Sequence, residues 1–225
     1  MNSKELHDNF EGPLLSAIWK TKKFKPDSVK FQSNIVRKSG NAIQITINEG
    51  DCASKNRKTE RDELLENKKL GPQENEIYEY AFSLYLPRNF PIVSTRLVLA
   101  QWKQNDEKNN AQVDNPILAI RYVAGEFYIT LQTTRKKIKI FSTKKEIRGN
   151  WIDLIFNIKF TRKKYGFVKI WMNKKQIVDY GGITAYVAKY GYPSTGKFYF
   201  KMGLYRDRMK KPMTIYFDEF HKKIL

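Results

Sequence analysis

Three short segments carry side chains able to hold an anion and exchange protons with it: Arg61-Asp-Glu-Leu64, Gln101-Trp-Lys103 and Tyr199-Phe-Lys-Met-Gly-Leu-Tyr-Arg206. Between them they supply guanidinium and ammonium groups to neutralise negative charge, a carboxamide to hydrogen-bond it, and phenols to give or take a proton. Neighbouring side chains in a strand face opposite ways, so parity sorts these residues. Phe200, Met202 and Leu204 are apolar and are predicted to face a core, which leaves Tyr199, Lys201, Gly203 and Tyr205 on the other face. Gly203 there leaves room between a cation and a phenol. Val98, Ala100 and Trp102 are likewise predicted inward, with Gln101 and Lys103 outward, and Arg61 and Glu63 share a face if their segment is extended. The polar sets together are expected to line one cleft.

The elements that must position them are strands. Period-two segments rich in β-branched and aromatic residues recur at 42–48, 77–86, 96–102, 117–123, 126–132, 151–160, 167–172, 197–205 and 213–220. Turn signals such as Ala124-Gly125, Arg148-Gly-Asn150 and Asn173-Lys-Lys-Gln176 separate them. Helical patterning is weak and confined to Pro13–Ile18 and Arg61–Glu66. No repeat, low-complexity tract or linker interrupts the chain, so residues 1–225 read as a single domain. The expected fold is all-β, a concanavalin-like β-jelly-roll sandwich of two antiparallel sheets.

Composition bounds the partners. The 225 residues include 42 Lys plus Arg against 23 Asp plus Glu, a formal charge of +19. Aromatics at 14% and hydrophobics at 41% are too many for a disordered basic tail. No apolar run reaches the roughly 20 residues of a membrane-spanning helix, so no membrane insertion is expected. The polar start, Met1-Asn-Ser-Lys-Glu-Leu-His-Asp8, lacks the apolar stretch of a signal peptide. A secreted or periplasmic location is expected only if such a signal has been removed, and the compartment stays open. The single cysteine, Cys52, excludes an internal disulfide, and only His7 and His221, near opposite ends, are available for histidine chemistry. The charge predicts an anionic partner: nucleic acid, an acidic membrane surface or an acidic polysaccharide. The lysines are dispersed, so a merely solvated surface is the competing explanation, and no dense arm of the kind that grips a duplex stands out.

Read together, the three segments resemble the jelly-roll polysaccharide lyases. The alginate lyases of that fold carry an Arg-x-Glu-Leu strand, a Gln-(Ile/Val)-His strand and a Tyr-Phe-Lys-x-Gly-x-Tyr strand, in that order. The flanks are similar to the heparin lyase I and glucuronan lyase group: Asp8-Asn-Phe-Glu-Gly12 followed by Trp19, Gly149-Asn-Trp-Ile-Asp153, Gly166-Phe-Val-Lys-Ile-Trp-Met-Asn173 and the Lys-x-Gly-x-Tyr-Arg strand ending at Arg206. The resemblance runs from about Asp8 to Phe220. It implies an enzyme that cleaves an anionic, uronate-containing polysaccharide by β-elimination, removing the C5 proton α to the carboxylate and expelling the oxygen on C4. It implies that Arg61 and Gln101 hold the substrate carboxylate and stabilise the enolate-like charge. Tyr205 is then the acid, and in some members the base as well, with Lys201 acting on the tyrosine or on a substrate anion. One position departs: Lys103 stands where the family has histidine. Lys103 is the base if its amine is neutral; otherwise it is a charge partner, with Tyr205 as both acid and base. A cleft that binds without cutting, a non-catalytic carbohydrate-binding protein of the same fold, is the alternative.

Glu63, Arg121, Tyr128, Gln132 and Tyr199 fall on the polar faces of their strands and are candidate substrate-binding residues, though Arg61 and Glu63 also read as an exposed ion pair. Trp102, Trp151 and Trp171 are expected in the core, and Cys52 in a turn. No metal ligand set or cofactor is expected; Asp8, Asp218 and Glu219 could join a structural calcium site, but their spacing does not resemble a calcium loop. The expected partner is an anionic polysaccharide, not a nucleic acid, and the expected state a monomer.

Overall fold

Strands with one apolar face must bury it, and two such faces closing on each other make a sandwich. The computed structural model describes residues 5–20, 24–38, 40–56, 58–105, 115–187 and 196–225. Among them are fifteen strands: β1 (Glu5–Asp8), β2 (Trp19–Lys20), β3 (Val29–Gln32), β4 (Ala42–Ile47), β5 (Thr59–Glu66), β6 (Ile77–Tyr85), β7 (Leu97–Gln104), β8 (Leu118–Val123), β9 (Glu126–Gln132), β10 (Lys137–Thr143), β11 (Trp151–Lys159), β12 (Gly166–Met172), β13 (Lys175–Gly182), β14 (Phe198–Asp207) and β15 (Met213–Ile224). One sheet runs β13-β12-β11-β6-β15-β4-β3, with β1 beside β15; the other runs β10-β9-β8-β7-β14-β5-β2. Every strand pairing is antiparallel. This is the jelly-roll sandwich expected from the patterning.

The inner faces meet in one continuous apolar core. Trp102 of β7 places its ring 4.6 Å from Phe200 of β14 and 4.7 Å from Phe156 of the opposite sheet. Each such ring, fully buried, contributes about 1.5–3 kcal/mol by leaving water. Two ion pairs also sit inside. Glu60 and Arg206, both fully buried, meet at 2.6 Å on adjacent strands, and Arg206 also donates to the carbonyls of Met209 and Lys211. Glu66 of β5 reaches across to Lys222 of β15 at 2.5 Å. Such pairs contribute little net energy once desolvation is counted, but breaking one leaves a buried charge without its partner.

Three expectations need correction. Arg61–Glu66 is not helical; it lies within β5, flanked by β14 and β2, and the Pro13–Ile18 segment is also non-helical. The helical turn among the described residues is a single 3-10 turn at Pro26–Ser28. Trp102 is in the core, but Trp151 and Trp171 are half-buried on the outer face of their sheet, where Trp151 packs on Tyr85 at 5.5 Å. Their strands alternate as expected; it is Ile152, Leu154, Val168 and Ile170 that take the inward parity. Val98 is the third case, and its cause bears on the site.

Candidate active site

The polar face of the second sheet is built by β8, β7, β14 and β5, which lie side by side. Register brings Tyr205 opposite Arg61 and Gly203 opposite Glu63 on one flank, and Lys201 opposite Gln101 and Tyr199 opposite Lys103 on the other. The pairing register shifts at two bulges, and strict alternation fails in β7. Between β7 and β8 the pairing shifts at Val98–Ala100, and between β14 and β7 at Met202–Tyr205. Two successive residues, Leu99 and Ala100, therefore both face the core, and Val98 turns out into the cleft opposite Tyr205 and Arg121. Gly203 sits at the β14 bulge with φ +139°, and a Cβ there would run into the main-chain carbonyl of Asp62. Only glycine satisfies both demands.

The result is a cleft of about 590 Å³ lined by Arg61, Gln101, Lys103, Arg121, Lys201 and Tyr205, with Arg96, Val98 and Lys137 among the residues added by the structure. Glu63 forms its floor. Its side chain is 2% exposed, and it accepts a hydrogen bond from Gln101 Nε2, faces Lys201 Nζ at 3.4 Å and lies 3.9 Å from Arg61. The exposed Arg61–Glu63 ion pair is thus corrected: Glu63 is buried and anchors three groups, of which Arg61 is the partly exposed one. Above it, the Tyr205 hydroxyl accepts a hydrogen bond from Arg96 Nη1 at 3.1 Å, and the Arg61 guanidinium stacks 4.5 Å from the ring centre. Arg96 is itself fixed by Asp207, to which its main-chain N–H donates at 3.0 Å. Burial lowers the Arg121 pKa from its ordinary value, and nearby Arg96 adds to the effect. Burial likewise lowers Lys137, reinforced by Arg121 and Arg96. Cations crowded in this way favour an anionic occupant.

The remaining candidates flank this centre. Tyr199 shares the face and lies under Lys68 and Lys201, at 5.1 and 5.9 Å from its ring. Tyr128 stands opposite Arg121 with Lys139 4.6 Å over its ring, and Gln132 is buried with its amide donating to the Thr134 carbonyl. Neither lines the cleft itself. Arg96 escapes a parity reading because counting back from Gln101 without the bulge turns it inward. Lys137 is hidden in a run of lysines that reads as solvated surface.

A second cavity, about 780 Å³, opens on the other sheet beside His7, Asp153 and His221 and lacks this convergence of amide, cations and phenol. The Asp8 carboxylate is taken up by the Phe10 main-chain N–H and the Trp19 indole, and that of Asp218 by the Arg37 and Glu219 main-chain N–H groups. No helix among the described residues is long and apolar enough to cross a membrane.

Solved structures of similar fold include the endo-β-1,4-glucuronan lyase of the fungus Trichoderma reesei, at 17% identity over 98% of this chain and 94% of that one, with a TM-score of 0.73. An alginate lyase of polysaccharide lyase family 7 is similar at 12% identity, 90% and 84% coverage and a TM-score of 0.62. So is the catalytic domain of a glycoside hydrolase family 131 protein from Coprinopsis cinerea, at 14% identity, 91% and 81% coverage and a TM-score of 0.61. No curated protein sequence matches the chain. At these identities the structures speak to fold alone, and a hydrolase among them shows that this fold does not by itself choose the reaction. Sequence does: the model of the family described as polysaccharide lyase matches residues 11–221, a span holding all three motifs and the whole cleft, and the chain belongs to that family.

Proposed function

We propose that the chain cleaves an anionic, uronate-containing polysaccharide by β-elimination in this cleft. The observation that carries the reading is Tyr205, whose hydroxyl is held by Arg96 and whose ring lies under Arg61, opening onto a cleft bordered by cations. The substrate carboxylate is placed against Arg61 and the amide of Gln101, whose second N–H remains for it once Glu63 has taken the first. As the C5 proton leaves, charge moves onto that carboxylate, and fixed donors stabilise it without reorganising. Tyr205 takes the C5 proton as a phenolate compensated by two guanidinium groups and hands it to O4 as the C4–O4 bond breaks. The C4–C5 double bond forms and the phenolate returns. Lys103, at the far end of the row, is a charge partner for the polymer. Glu63 is assigned to orienting Gln101, Arg61 and Lys201, since its oxygens are already engaged by them.

The unsaturated uronate absorbs in the ultraviolet, so one spectrophotometric screen tests the reading. Glucuronan and alginate come first, the substrates of the lyases of similar fold, followed by heparin and hyaluronan. Ultraviolet absorbance should grow on at least one polymer, and Tyr205→Phe should lose it by about 10³-fold or more while still binding. Binding without absorbance on any polymer, or a Tyr205→Phe variant at wild-type rate, refutes the mechanism.

A further inference from the structure

The chain's two histidines come from opposite ends and meet. Strand β1 pairs with β15 so that His7 stands directly opposite His221, and Glu5, two residues before His7, shares its face. Their meeting depends on a bulge. Pairing between β15 and β6 shifts between Asp218 and His221, where Glu219 has φ +54°. Phe217 and Phe220 both face the core as a result, and His221 turns outward. The imidazoles stack 4.3 Å apart, and one oxygen, Glu5 Oε1, lies 2.8 Å from His221 Nε2 and 3.2 Å from His7 Nε2.

We propose that Glu5, His7 and His221 form a binding site for a divalent transition metal, with zinc as the representative ion, which clamps the N-terminal strand onto β15. Two imidazole nitrogens and one carboxylate oxygen are a zinc-type donor set, and hard cations such as calcium prefer all-oxygen sites. The three ligand atoms lie within 4.8 Å of one another, the one such grouping among the described residues. Tetrahedral bonds of about 2.1 Å set ligand atoms about 3.4 Å apart, so the contacts of Glu5 with His221 and His7 need to open by about 0.6 and 0.2 Å. The stacked rings hold their lone pairs side by side; the His7 side chain, 64% exposed, is free to turn toward the shared point, whereas His221 at 19% is held. The ion replaces the protons now shared between Glu5 and the two rings, and water completes its coordination. The site lies on the sheet opposite the catalytic cleft, so its role is to anchor β1, a four-residue strand whose one strand partner among the described residues is β15.

The test uses the full chain without a polyhistidine tag, titrated with zinc chloride against a chromophoric chelator and followed by thermal unfolding. One zinc should bind per chain, and zinc at a hundredfold over its dissociation constant should raise the Tm by about 5 °C. His7→Ala and His221→Ala should each weaken binding by about tenfold or more and together remove the Tm shift. His7→Ala alters an exposed side chain, so its metal-free Tm should match wild type and confirms that the fold is kept. Zinc binding undiminished in the double variant, absence of binding at about 0.1 mM zinc, or calcium binding as tightly as zinc through the same histidines would each overturn the site.

Discussion

Lys103 is the residue on which the assignment of base turns. It stands opposite Tyr199 in the cleft, at the end of β7 away from Val98 and Arg121, whereas the groups set against the Tyr205 ring and hydroxyl are Arg61 and Arg96. An ammonium beside a uronate is stabilised by that anion, so the charged form is the one a bound polymer selects. Lys103→Ala should accordingly raise KM by about tenfold, the loss of roughly one 1.4 kcal/mol contact common to ground and transition states, and leave kcat within a few-fold. A kcat loss of about 10³ at unchanged KM would make Lys103 the base instead. Single residues were legible where type and motif coincide, as at Tyr205, Gln101 and Arg61. Glu63 was legible as a cleft residue but not as an anchor, because its partners Gln101 and Lys201 lie on other strands, 38 and 138 residues away.

Alternation exposes the elements but not their irregularities. The two-sheet sandwich follows from nine period-two segments because burying one face of each strand leaves few other arrangements. A bulge adds a residue and reverses parity beyond it, and no residue type announces it. Val98, Arg96 and His221 all owe their outward direction to such shifts, which is why simple counting misplaces Val98, misses Arg96 and keeps the histidines apart. Gly203 is the one bulge position with a sequence marker. Its φ of +139° and the Asp62 carbonyl facing its Cα leave no room for a methyl group. Gly203→Ala should cost about 2 kcal/mol or more in urea unfolding, and kcat should fall because β14 carries Tyr205 and the facing strand carries Glu63. Unchanged stability and activity would show that the bulge is not needed to set the site.

At the scale of the whole molecule, the question is where a charge of +19 is put to use. On and beside the sheet opposite the cleft, several cations are matched by acids: Arg37 with Asp153, Lys38 with Glu219, Lys169 with Asp179 and Lys223 with Glu79. The cleft is different. Among the described residues, Lys58, Arg61, Arg96, Lys103, Arg121, Lys137 and Lys201 line it against one lining carboxylate, that of Asp207, and the Glu63 floor offsets only part of that excess. An excess of positive charge focused in a groove raises the local concentration of a polyanion, whereas matched pairs on a surface contribute little beyond solubility. Screening acts on the first far more than on the second. KM for a uronate polymer should therefore rise by about tenfold between roughly 0.05 M and 0.2 M salt, with kcat much less affected, in initial rates followed by ultraviolet absorbance. Lys137→Ala, which removes one cleft cation outside the proposed chemistry, should flatten that dependence, and Lys169→Ala, on the opposite sheet, should leave it unchanged. A KM indifferent to salt, or equal effects from the two substitutions, would return the lysines to a solvated surface and leave substrate capture to the short-range contacts of Arg61 and Gln101 alone.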